Sequence, residues 1–105
     1  MKRMKECCKD YLNEQFGGDA DTMESVYALY VESVGEKLAE AKDALAGADW
    51  TKLDAAAHTL KGNALAAGDK PLAELAISLR NAAKLQATEH SAQLISQIEK
   101  LSAEL

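Results

Sequence analysis

The chain is poor in the residues that build sheets, cross-links and membrane spans. Its 105 residues include one proline, six glycines, one tryptophan, one phenylalanine and three tyrosines. Val and Ile are few, whereas Ala, Leu, Glu and Lys dominate. Scarce β-branched and aromatic residues argue against strands and for an all-helical chain. The two cysteines, Cys7 and Cys8, are adjacent. Neighbouring cysteines rarely pair with each other, so a disulfide framework is excluded and reduced thiols are expected. No apolar run approaches the roughly 20 residues of a membrane span. Met1 to Lys5 is basic but has no apolar stretch behind it, so it is not a secretory signal. A cytoplasmic protein without a membrane partner is expected. The net charge of −5 lacks the basic excess that phosphate backbones require, which argues against a nucleic-acid partner.

What is present suffices for one helical domain over residues 1–105. The chain is 48% hydrophobic, enough to bury a core. A short first helix is predicted over Lys2–Phe16, ending at Gly17-Gly18. Asp19 and Asp21 then offer capping oxygens, and Asp21 with Glu24 has the spacing of a capping box. A long helix over about 22–46 follows, with the stripe Met23, Val26, Tyr27, Tyr30, Val34, Leu38, Ala41 and Leu45, and Gly47 closes it. Asp49 caps a helix over about 49–67 that Gly68 ends. Pro71 suits the first turn of a helix over about 70–85, with Leu72, Leu75, Ala76, Leu79 and Ala83 as its stripe. The segment Gln86-Ala87-Thr88 reads as a turn before a last helix over about 89–104, carrying Leu94, Ile98 and Leu101. Amphipathic helices with short connections predict an antiparallel four-helix bundle, with the first helix covering one end or side.

One segment stands out: Ala57-His58-Thr59-Leu60-Lys61-Gly62, closed by Gly68. Gly62 costs roughly 1 kcal/mol relative to Ala in mid-helix, and close approach of another body is the usual compensation. At ~100° per residue, Leu53, Ala56, Leu60, Ala64 and Ala67 fall on the side opposite His58. Thr51, Asp54, Lys61, Gly62 and Leu65 fall within about 60° of it. The histidine is therefore predicted to face solvent beside a cation, a bare stretch of backbone and an outlying leucine. A lone histidine is most often an ordinary surface or core residue, but these neighbours suit a nucleophile that a partner approaches closely. Other site chemistries lack their parts. No nucleophile is placed for a Ser-His-Asp or Cys-His arrangement. His90 and the cysteines lack zinc-ligand spacing. Gly17-Gly18 has no following Lys-Ser/Thr, so no ATP-binding loop is expected.

Asp49-Trp50, then Ala57-His58-Thr59-Leu60-Lys61-Gly62 with Gly68, resembles the histidine phosphotransfer (HPt) domain. Leu72-Ala73-Glu74-Leu75 and the lead-in Tyr11-Leu12 through Phe16-Gly17-Gly18-Asp19 continue the likeness. Asn63, where Ser is common, and Ala67, where a larger aliphatic is common, depart from it. The resemblance implies a four-helix bundle whose exposed histidine carries a phosphoryl group in a multistep phosphorelay. It places that group on His58, with Lys61 beside it and Gly62 as the small residue that admits the partner. The chain would then be a phosphocarrier rather than an enzyme. Its partners would be receiver domains and a hybrid sensor histidine kinase. It would use no cofactor, because magnesium would sit in the receiver. A monomer is expected, and Met1 favours a free-standing unit. Reaction through Nε2 is expected, with Lys61 holding phosphoryl oxygens; Asp54 either orients the ring through its other nitrogen or stands exposed and unconnected to it. Arg80 and Lys84 share a flank with Ile77 and would add positive charge opposite the receiver's acidic pocket if that flank abuts His58, while Leu65 would belong to a docking patch beside Gly62 and His58; with Asp54 these make the expected partner-binding set. Two alternatives stay open: a helical adaptor that docks without carrying phosphate, and a metal- or redox-active bundle using Cys7, Cys8 and a histidine.

Overall fold

Of the five helices among the described residues, three begin at an aspartate that follows a tight turn. In the computed structural model, which describes residues 4–105, the order is α1 (Glu6–Phe16), α2 (Ala20–Ala46), α3 (Trp50–Ala67), α4 (Lys70–Lys84) and α5 (Thr88–Ser102). Asp19, Asp49 and Asp69 accept hydrogen bonds from the backbone N–H of Thr22, Lys52 and Leu72. Each satisfies a donor that the first helical turn leaves unpaired, worth about 1 kcal/mol. Connections of two or three residues fold each bundle helix back against its predecessor. α3 is central and packs most extensively on α4 and α2. α5 closes the bundle against the same two helices, and α1 lies against α2 and α3. The chain is thus the expected all-α bundle with a short additional N-terminal helix.

The core alternates a few large side chains with many small ones. Leu53, Leu60, Leu72, Leu79 and Ile98 are fully buried, each worth roughly 1.5–3 kcal/mol relative to exposure. Between them Ala56, Ala57, Ala64, Ala76 and Ala83 let α3 and α4 approach closely. The predicted α3 stripe is buried in full, with Ala57 added to it.

Several local expectations are corrected. α1 begins at Glu6, so Met4 and Lys5 are not helical, and the expected start at Lys2 lies outside the described residues. α2 begins at Ala20 because Asp19 takes both the N–H and the hydroxyl of Thr22. Asp21 is then already inside the first turn, and the Asp21–Glu24 capping box is displaced. On α2 the buried position is Ala44 rather than Leu45, which is only partly covered. Leu75 and Leu101 are likewise partly covered, and Thr88 belongs to α5 rather than to the turn.

One end of the bundle is tied by a buried polar cluster. Asp69 has no exposed surface, and its carboxylate accepts from Lys5 Nζ at 2.9 Å and from the Tyr30 hydroxyl at 2.7 Å. The Tyr27 hydroxyl accepts from the Lys5 backbone N–H at 3.1 Å. Burial, and then the bond to Asp69, push the Tyr30 hydroxyl well above its ordinary pKa. Burial, followed by the nearby Asp69, pushes the Cys8 thiol up to about 12. Gly68 completes this joint. Its φ of +76° favours glycine, and a Cβ there would lie 2.2 Å from Tyr11 Cβ of α1. α1 is therefore held by fitted contacts to the turn between α3 and α4.

Candidate functional site

α3 presents His58 to solvent because five of its neighbours on the opposite face are needed in the core. His58 and Gly62, one turn apart, are both exposed. A Cβ added at Gly62 would meet nothing within 4 Å. No part of the described molecule therefore requires glycine at this point of the helix. The compensation for its helix cost lies outside the chain or in the backbone itself.

The flank of α4 abuts the His58 face. Arg80 Nη1 lies 3.1 Å from His58 Nδ1, and Arg80 Nε donates to Asp54 Oδ1 at 2.9 Å. The guanidinium thus spans from a carboxylate to the ring, joining α3 residues one turn apart. The hydrogen bond from Arg80 lowers the Asp54 carboxyl below its ordinary pKa, with the charges of Arg80 and Lys84 adding to it. Next to the ring, Lys61, Ile77, Arg80, Asn81 and Lys84 line a shallow cavity of about 220 Å³. Three cations and one exposed aliphatic, Ile77 at 44% exposure, so gather beside His58.

This geometry corrects the expectation for Asp54. It does not reach the ring; it holds Arg80, and Arg80 occupies the ring nitrogen. The physical reason is that the arginine fork offers donors in two directions, and the carboxylate is satisfied by the nearer one. Lys61, Ile77, Arg80 and Lys84 are brought together as one flank. Leu65 is 49% exposed and lies outside that cavity, one turn beyond Gly62 on α3.

The other flank of α3 carries features that the sequence reading passed over. Val26, Leu29, Ser33, Asn63 and Ala66 line an apolar groove of about 280 Å³ between α2 and α3. Asn63 donates to the Ser33 hydroxyl across it, which accounts for an amide at this half-buried position. Leu29 is 67% exposed; its place off the α2 stripe was the available signal. For the buried Asp69, the signal was its position after Gly68, which parallels Asp19 after Gly18.

The cysteines do not join this site. Cys8 is buried at the α1 end, and a thiol raised to about 12 is a poor nucleophile. Among the described residues, no group of three or more His, Cys, Asp or Glu is arranged to hold a metal ion. No helix of the described residues is long and apolar enough to cross a membrane.

Comparison with known protein families matches residues 25–105 to the Hpt domain. No curated protein and no solved structure matches the chain. The match covers α3, α4 and α5 whole and most of α2.

Proposed function

The chain belongs to the Hpt domain family, whose members carry phosphoryl groups on histidine in phosphorelays, and from that premise we propose that His58 accepts a phosphoryl group from, and returns it to, the phosphorylated aspartate of receiver domains. The ring nitrogen forms its bond to phosphorus as the P–O bond to the aspartate breaks, and the carboxylate leaves. Such a transfer depends mainly on positioning and charge stabilisation. A neutral imidazole suits it, being a nucleophile near neutral pH. Nε2 is the nitrogen that reacts, being the ring nitrogen further from the backbone.

Lys61 and Lys84 are the point charges available to the phosphoryl oxygens. Gly62 leaves backbone bare where the receiver's reacting loop must come within bonding distance. Leu65 and Ile77 supply apolar contact around it. The divalent metal such a transfer uses belongs to the receiver, and this chain acts as the carrier. The observation that carries the reading is the exposed imidazole beside a glycine above open space, with three cations on one flank.

The test is transfer from a panel of phosphorylated receivers. The chain should acquire acid-labile, base-stable label, and His58→Gln should acquire none while keeping the parent's thermal midpoint. Label retained on His58→Gln would move the site elsewhere. Receiver binding with no label on the parent chain would instead make it a docking adaptor.

A further inference from the structure

We propose that Arg80 is a latch on the ring of His58; the inference rests on the phosphocarrier reading above. Arg80 Nη1 lies 3.1 Å from His58 Nδ1. A guanidinium only donates hydrogen bonds and stays protonated in proteins. Nδ1 must therefore offer its lone pair, and in a neutral imidazole the proton then sits on Nε2. In the latched state the reactive nitrogen carries a hydrogen and has no lone pair for phosphorus. Asp54 keeps the latch in place, accepting from Nε at 2.9 Å while Nη1 reaches the ring.

The latch acts on both directions of transfer. To accept phosphate, Arg80 leaves Nδ1, and solvent moves the ring proton from Nε2 to Nδ1. The freed Nε2 pair then attacks phosphorus as the aspartyl P–O bond breaks. The product ring releases its Nδ1 proton to water, which restores the lone pair that Arg80 binds. Loss of the phosphoryl group, to water or to an aspartate, breaks the P–Nε2 bond and returns that electron pair to Nε2. A neutral imidazole can leave only if Nδ1 gains a proton; otherwise the ring departs as imidazolate, a far poorer leaving group. Arg80 fills that place with a hydrogen bond whose proton it does not give up. Latched phospho-His58 is therefore long-lived. A receiver must dislodge Arg80 to exchange phosphate, and carboxylates at the receiver's reacting face compete for the guanidinium with the chemistry Asp54 already uses.

Nitrogen-15 spectra of the whole unphosphorylated chain read the tautomer directly. His58 should show a protonated Nε2 and an unprotonated, hydrogen-bonded Nδ1, and Arg80→Met should lose the hydrogen-bonded signature. Phosphoramidate, a small N-phosphoryl donor, then labels His58 without a partner. Hydrolysis of the label should be about five- to tenfold faster in Arg80→Met, the rate equivalent of one ordinary net hydrogen bond at a solvent-exposed position. Asp54→Asn loosens the latch without removing it and should give an increase of about two- to threefold. Equal or slower hydrolysis in Arg80→Met, or a ring protonated at Nδ1 in the parent, would overturn the proposal. Absence of label from both phosphoramidate and receivers would sink the carrier reading instead. The spectrum of the unlabelled ring would still decide whether Arg80 holds Nδ1.

Discussion

Two carboxylates in this bundle each hold a cation across a gap between chain segments, and they do different work. Asp69 sits at the start of α4 with no exposed surface, gripping Lys5 and Tyr30. Asp54 sits on the outer face of α3, with its side chain 31% exposed, and grips Arg80. Around Asp69 every listener is structural: the contacts tie α1 and α2 to the turn before α4. Around Asp54 the chain of contacts ends on an exposed imidazole. Burial makes the first pair expensive to break, because the Tyr30 hydroxyl loses its buried acceptor while Lys5, its side chain only 16% exposed, loses its counter-charge. Solvent makes the second pair cheap to break, which suits a group that must move.

The sharpest way to break this comparison is to truncate each carboxylate. Asp69→Ala should destabilise the chain by about 3–5 kcal/mol in urea unfolding, since Lys5 and Tyr30 lose a shared buried acceptor. Asp54→Ala should change stability by no more than about 1 kcal/mol. Equal losses in the two variants would erase the distinction between a structural and a positioning carboxylate.

A second pair sharpens it at the backbone. Gly35 and Gly62 are both exposed helical glycines whose added Cβ would meet nothing within 4 Å. Replacing either by Leu should stabilise its helix by up to about 1 kcal/mol. Only Gly62→Leu should slow transfer from a receiver, by roughly tenfold or more, the cost of a misplaced approach. Unchanged transfer in Gly62→Leu would remove the close-approach account of that glycine.

The smallest effects lie at the ends of the pH scale, and they have opposite signs. Burial lowers the Lys5 pKa, but the bond to Asp69 and its charge outweigh this and raise it above 10.5. Its contribution is complete below 10.5 and is lost as pH rises through the raised value. Asp54 lies below 3.8, so its contribution is present above 3.8 and is lost as pH falls through the lowered value. Stability followed against pH should show an alkaline loss that Lys5→Met reduces and an acid loss that Arg80→Met reduces. An acid loss unaffected by Arg80→Met would detach Asp54 from its assigned partner.

Much of the architecture could be read from local patterns. The stripe on α3, from Leu53 to Ala67, correctly identified the buried face, and with it the outward direction of His58. The start of α2 was misread by two residues because Asp19 and Asp21 offer the same cap chemistry, and only the Thr22 contacts choose between them. The length of α1 was overread because Lys5 has good helix propensity, yet its side chain is committed to Asp69, 64 residues away. The joint of Tyr11 against Gly68 was equally out of reach, since the motif showed the glycine but not what fills its missing Cβ.

The amino-acid order by itself determined the number of helices, the side of α3 that is buried, and therefore which residues share the outer face with His58. These follow from the helical repeat, which is local and set by backbone hydrogen bonding. Tertiary structure alone decided which helix lies along the Asp54 and Lys61 edge of that face. Packing put α4 there and carried Arg80, 22 residues from His58 in the chain, to its ring nitrogen. Contacts between helices depend on how small and large side chains interdigitate over the whole core, and no stretch of sequence one helix long contains that information.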